Sequence, residues 1–224
     1  MATQRGPKIV RDGLIFYVDG ADRKSLSGSG ATVWSELSGT SQNGTITAAT
    51  FSSINGGALS FTAATQPQGV LFNYLIGANS PRTVSLWAQR SSTADNAFMS
   101  TRADNATSTG FLINTSSTNL NVVHLGISPS ATVTAPALNT WFNVVSTYDG
   151  TTLTIILNNS ITNSVTVGYN TAIAAQGVLG NGSCVLNTPR PCRGLIANVS
   201  SYNRVLSTSE LDQNFNTLRG RFGI

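Results

Sequence analysis

The chain has 224 residues and carries 22 charges, from 11 Arg, 2 Lys, 7 Asp and 2 Glu, or 10% against about 25% in an ordinary soluble domain. Ser, Thr and Asn supply 76 residues instead. Hydrophobic residues at 40% are dispersed, which excludes a charge-driven disordered chain and a coiled coil; no run approaches the ~18 to 20 apolar residues of a membrane helix. A soluble, globular chain with no membrane partner is expected.

Short runs rich in Val, Ile, Phe, Tyr and Thr recur between Gly, Asn, Ser and Pro clusters, the pattern of an all-β protein. In chain order the predicted strands are Leu14–Val18, Ala58–Phe61, Thr83–Gln89, Phe111–Asn114, Leu120–Leu125, Phe142–Tyr148, Leu153–Leu157 and Gly194–Tyr202. Within Thr83–Gln89, Val84, Leu86 and Ala88 share one face, while Thr83, Ser85 and Trp87 share the other. Period two with one apolar face predicts sheets packed face to face. Asp149-Gly150 between two strong strands predicts a hairpin over Phe142–Leu157. Near the end, Ser207-Thr208-Ser209-Glu210 fits a capping box. Leu211, Phe215 and Leu218 then share a helical face, so a helix over Thr208–Leu218 is predicted to lie on the sandwich and stop at Gly220. A helix held in reserve for a partner is the alternative. With no long linker, the division expected is an N-terminal arm (1–13), one β-sandwich (14–206) and a C-terminal helix and tail (207–224).

Three segments carry a family likeness. They are Leu14-Ile15-Phe16-Tyr17-Val18-Asp19 with Trp34-Ser35-Glu36-Leu37-Ser38-Gly39; Trp141 to Gly150; and Gly194-Leu195-Ile196-Ala197-Asn198-Val199 running into Tyr202-Asn203-Arg204-Val205-Leu206-Ser207 and Glu210. Their order resembles the laminin-G-like, concanavalin A-like jelly-roll family from about Leu14 to Phe222. The resemblance implies an antiparallel two-sheet sandwich with a short C-terminal helix. The version to which it is most similar occurs in structural proteins of tailed bacteriophages, notably cyanophages, where Asn214-Phe215-Asn216 and the closing Arg219 to Ile224 recur. The sequence departs from the family at Asn198, Ser35-Glu36 and Asn158-Asn159, where Asp, Tyr-Asp and Asn-Gly are usual. These departures bear on any inherited calcium site.

Catalysis finds little support. Glycoside hydrolysis needs two carboxyl groups about 5 to 9 Å apart on one cleft. Glu36 and Glu210 are isolated, and no strand carries acids on alternate residues. His124 is the sole histidine and lacks the glycines of a nucleophile elbow. No enzyme activity and no catalytic residue are therefore expected, and a glycoside hydrolase is a remote alternative. No cofactor is expected, with calcium as the one candidate ion: Asp19, Asp22 and Asp149 are the candidate ligands, each with a turn-capping role as its plainer reading. Trp34, Asn158 and Asn159 are candidate glycan contacts, although core packing is the better reading for Trp34, Trp87 and Trp141. Cys184 and Cys192 are expected as unlinked thiols, with a pair across the intervening loop as the alternative.

Charge placement says more. Residues 1–24 carry five basic and three acidic side chains, residues 190–224 five and two, and the stretch between them three and four. A jelly roll whose ends neighbour each other would gather the two basic ends into one pole. Arg5, Lys8, Arg11, Arg219 and Arg221 are the candidate anchors to an acidic partner. The basic residues form no dense or aromatic-interleaved run, so no nucleic acid is expected. The N-terminal residues lack an apolar signal core, which points to synthesis in a host cytoplasm. The resulting expectation is a non-enzymatic virion protein, most consistent with capsid decoration at the virion surface. It would be anchored on the major capsid protein or another virion protein and homo-oligomeric within the particle. The alternative is a tail-associated adhesin for surface polysaccharide.

Overall fold

The computed structural model describes residues 8–62, 67–73, 80–103, 109–168, 176–186 and 190–224. Its strands in chain order are β1 (Leu14–Asp19), β2 (Val33–Trp34), β3 (Gly44–Thr47), β4 (Thr50–Ser52), β5 (Ala58–Phe61), β6 (Gly69–Phe72), β7 (Arg82–Arg90) and β8 (Asn96–Ser100). They continue with β9 (Phe111–Thr115), β10 (Asn119–His124), β11 (Ala131–Thr134), β12 (Trp141–Tyr148), β13 (Thr152–Leu157), β14 (Ile161–Thr166), β15 (Gly177–Leu179) and β16 (Gly194–Tyr202). One helix, α1 (Thr208–Phe222), closes the chain.

Every pairing is antiparallel, and the strands form two sheets. The first runs β14-β13-β12-β7-β16-β5-β4, with β1 also on β16; the second runs β11-β10-β9-β8-β15-β6-β3-β2. All eight predicted strands are present within a residue or two of their predicted ends. The unpredicted ones are mostly short, such as β2 and β15, or polar, such as β14, and too brief to show a period.

The alternation in β7 divides its contacts as predicted. Val84, Leu86 and Ala88 enter the core between the sheets, while Trp87 belongs to a second cluster on the outer face. In the main core, Phe16 meets Phe72 edge-on with centroids 4.8 Å apart, and Phe98 meets Phe142 at 5.5 Å. Such edge-to-face pairs align the positive ring edge with the negative face. The Asp149-Gly150 hairpin forms as predicted: Tyr148 pairs with Leu153, Gly150 takes φ +110°, and Asp149 Oδ1 accepts the Thr151 and Thr152 amides at 2.8 and 2.7 Å. The next turn places Asn158 and Asn159 at φ +50° and +57°, the two left-handed positions of a tight hairpin, so Asn-Asn serves where Asn-Gly is usual.

The helix lies on the outer face of the first sheet. Its capping box is formed, and the Ser207 amide donates to Glu210 Oε2 at 2.8 Å. It overruns the predicted stop: Gly220 lies within the helix, and Gly223 at φ +75° is the left-handed cap. The extra turn carries Phe222 onto Trp87, with rings stacked at 4.4 Å beside Phe215 at 5.5 Å. Burying a phenyl ring is worth ~1.5 to 3 kcal/mol, more than the ~1 kcal/mol that an interior helical glycine costs.

Candidate functional site

The N-terminal arm, the end of β1 and α1 meet at one pole. The Val10 amide donates to Asn214 Oδ1 at 2.8 Å, Gln213 Nε2 donates to the Lys8 carbonyl at 2.7 Å, and the Tyr202 hydroxyl donates to the Val10 carbonyl at 3.1 Å. The arm therefore runs along the helix, and the two basic ends become neighbours. Arg204 joins them from the helix entrance. Its Nη1 and Nη2 grip the Glu210 carboxylate at 2.8 and 2.6 Å, and its Nε lies 2.9 Å from Asp12. The Arg204 hydrogen bonds, with the Ser207 amide, hold Glu210 down at about 2.

The candidate anchors are not equivalent. Lys8, Arg11 and Arg219 are exposed at this pole, whereas Arg5 lies outside the described residues. Arg221 is a correction, because it is turned inward. Its Nη1 meets Asp19 Oδ1 at 2.5 Å, Nη2 donates to the Gly57 carbonyl at 2.6 Å, and Nε donates to the Asn55 carbonyl at 2.5 Å. Asn55 answers by donating to the Arg221 carbonyl and accepting from Trp141 Nε1. A guanidinium whose faces are already filled by a carboxylate and two carbonyls clasps the helix end to the sheet and leaves no fork for a partner.

The same contact engages Asp19, one of the candidate calcium ligands. Asp19 also accepts from the Tyr17 hydroxyl and the Ala21 amide, so its oxygens are committed to a cation and two donors. Asp22 Oδ1 caps the Lys24 amide, and Asp149 is occupied within its own hairpin. Among the described residues, no three His, Cys, Asp or Glu side chains converge. A hard dication needs six to eight oxygens in one place, and among the described residues Asp19, Asp22 and Asp149 do not converge on one.

Trp34 is a second correction, because it is wholly buried and offers no ring face to a sugar. Trp87 and Trp141 are buried as well, the first stacked on Phe222 of α1 and the second tilted against it, so the core-packing reading holds for all three. Asn158 and Asn159 are half-buried and already bonded. Asn158 Oδ1 accepts the Asn143 amide at 2.8 Å, and Asn159 Nδ2 donates to Asp212 of α1 at 2.7 Å. Between α1 and the sheet, Thr83, Ser85, Asn143, Asn198 and Ser200 floor a crevice of about 10 Å³, room for about one water.

Two polar assemblies escape sequence reasoning. Glu36, read as isolated, organises its loop by accepting the amides of Tyr17, Ser38, Gly39 and Thr40. Burial works to raise its pKa, but those donors prevail and hold it below the usual carboxylate range. The Ser-Gly-Thr run after Glu36 was the available signal, since small residues let a loop close over a carboxylate. His124 is buried, with Nε2 2.7 Å from Arg82 Nη2 and its ring edge-on to Tyr148 at 4.8 Å. Burial first, then the Arg82 charge, lower its pKa to about 4. The imidazole is thus kept neutral among the Phe111 and Tyr148 rings and the Arg82 guanidinium.

The profile of the concanavalin A-like lectin/glucanases superfamily, in its laminin-G-like form, matches residues 66–212. The chain belongs to that family. No curated relative matches it in sequence. Among solved structures it is similar to a Trypanosoma rangeli sialidase, at TM-score 0.69 and 13% identity over 93% of this chain and 33% of that one. It is also similar to the binding domain of botulinum neurotoxin serotype D, at TM-score 0.68 and 12% identity over 92% and 52%. The receptor binding domain of botulinum neurotoxin type G follows, at TM-score 0.65 and 11% identity over 92% and 51%. The chain thus spans about a third of the sialidase and about half of the toxin domains. At such identities the likeness establishes the shared lectin-like jelly roll.

Proposed function

We propose that the protein is a non-enzymatic surface module of a tailed-phage virion, a capsid decoration protein docked through its basic pole. The observation that carries this is the meeting of the two chain ends. Lys8 and Arg11 are exposed on the arm, which bonds Gln213 and Asn214 of α1, and Arg219 is exposed further along that helix, while the neighbouring Asp12 is paired with Arg204. The pole is left with surplus positive charge suited to an acidic patch on the major capsid protein or another virion protein. A non-catalytic role is supported by the state of the two glutamates: Glu36 is wrapped by amides and Glu210 is gripped by Arg204. The module works without a cofactor, at the particle surface.

Removing residues 219–224 would strip away Arg221 and Phe222 and perturb the fold, so substitutions are the sharper test. Lys8→Glu, Arg11→Glu and Arg219→Glu together should abolish incorporation into particles while leaving the melting transition in place. Undiminished occupancy of the triple variant would refute the docking surface.

A second reading, a tail-associated adhesin for surface polysaccharide, draws support from the likeness to receptor binding domains of two neurotoxins. With all three tryptophans buried, it would rely on Ser-, Thr- and Asn-rich loops. A glycan array with and without calcium separates the readings: saturable, sugar-specific binding favours the adhesin, and its absence favours the decoration role.

A further inference from the structure

The sheets have five outer strands, and four of them are guarded. β1 pairs on β16 alone, but its Tyr17 and Asp19 amides donate to Glu36 Oε1 and Ser25 Oγ, and its Tyr17 carbonyl accepts the Leu37 amide. β2 and β4 have only two and three residues. β11 has four, flanked by Pro129 and Pro136, and the side-chain oxygen of Asn163 takes its Thr132 amide at 3.2 Å. The fifth, β14, has six residues, Ile161-Thr162-Asn163-Ser164-Val165-Thr166, five of them exposed. It pairs without a register break on β13 alone, and among the described residues no hydrogen bond reaches its outward backbone groups. It contains no Lys, no Pro and no bulge, the usual devices that keep an edge from pairing with another chain. Four of its six residues, Ile161, Thr162, Val165 and Thr166, are β-branched, which suits a strand.

We propose that β14 is a self-association edge that pairs antiparallel with β14 of a second copy of this chain. Three observations favour that occupant over a foreign strand. First, the edge is self-complementary. Ile161, Asn163 and Val165 stand opposite Leu157, Ile155 and Leu153, so they lie on the core side of the sheet. A two-fold axis at Asn163 sets Ile161 opposite Val165 of the other copy and Thr162 opposite Ser164, apolar on apolar and hydroxyl on hydroxyl. Second, Ile161 is 53% exposed, although β11 of the second sheet bonds the neighbouring Asn163. Pairing would cover it. Third, Asp149 is the sole Asp, Glu, Lys or Arg in the whole stretch from Asn105 to Pro189. A symmetric contact places like charges near their own copies, so a strand that itself carries no charge, as β14 does not, pairs with its own copy without that repulsion.

This inference does not rest on the basic-pole reading, because the pole is built from the two chain ends. A single six-residue edge buries less than a standard interface, so the association is expected in the micromolar range, ~10 μM. Sedimentation velocity of the full chain from about 2 to about 200 μM should show a monomer converting to dimer. The pair Thr162→Lys with Ser164→Lys puts lysine against lysine twice in the proposed register. The pair Thr162→Glu with Ser164→Glu does the same with glutamate. Both positions are exposed, so both variants should keep the wild-type melting transition. Each alone should stay monomeric, and their equimolar mixture should dimerise. A wild-type chain that remains monomeric throughout overturns the proposal and leaves the edge to a foreign strand. Variants that dimerise alone as well as the wild type also overturn it.

Discussion

Acidification from pH 7 to pH 5 should destabilise this protein through one residue. His124 is the sole histidine, and its pKa falls from 6.5 to about 4 in the folded chain through burial and the adjacent Arg82 charge. The folded state therefore binds fewer protons than the unfolded state between those values. By linkage, stability is fully present above about pH 6.5 and is lost as pH falls toward 4. Evaluated with these two pKa values, the loss between pH 7 and pH 5 is about 2 kcal/mol, and residual solvent screening brings the expectation to about 1 to 2 kcal/mol. Carboxylates with depressed pKa values, such as Glu210 at about 2, act mainly below their ordinary value of 4.5, so they add little in this window. Urea titrations followed by tryptophan fluorescence at pH 7, 6 and 5 would measure the slope. His124→Gln should lower stability at pH 7 by breaking the contact with Arg82, and it should flatten the pH dependence. A wild-type midpoint that does not move between pH 7 and 5, or a variant with the wild-type slope, would refute the reasoning.

Three further outcomes follow from packing. Phe222→Ala removes the ring stacked on Trp87 and tilted against Trp141, and should cost about 3 kcal/mol in urea titrations; a loss below ~1 kcal/mol would mean that α1 is not anchored there. Gly57→Ala combines φ +146° with a Cβ only 2.0 Å from the Gly20 carbonyl oxygen, whereas Gly30→Ala at φ +79° meets nothing within 4 Å. The first should destabilise by more than ~3 kcal/mol and the second by about 1, and equal thermal shifts would contradict that ordering. Cys184 and Cys192 are free and buried, with burial pushing the Cys184 thiol up to about 11 and raising Cys192 as well. Both should react with a thiol reagent slowly in buffer and rapidly in denaturant; fast native labelling would count against their burial.

Much of the architecture was legible in the residues. The alternation in Thr83–Gln89 foretold both faces of β7, Asp149-Gly150 foretold the hairpin, and Ser207 to Glu210 foretold where α1 begins. These signals are local: a side-chain period, a left-handed turn position and a cap each act within a few residues. Local rules missed the end of α1, because Gly220 is a natural stop and only the Trp87 ring, far away in sequence, makes a further turn worth forming. They also missed β14, whose residues gain strand geometry from β13 and show no apolar period of their own.

The site divides the same way. Composition and charge order alone determined that acids are scarce, that the basic residues sit at the two ends, and that converging carboxylates are not to be found along any strand. Tertiary structure decided which of those charges remain available. Arg221 and Asp19 are 202 residues apart and meet at 2.5 Å, so the charge of each is spent on the other. Trp34 is likewise closed off by the packing of distant strands. Residue type and spacing report what a side chain is able to do, whereas its availability depends on which partners the fold delivers to it.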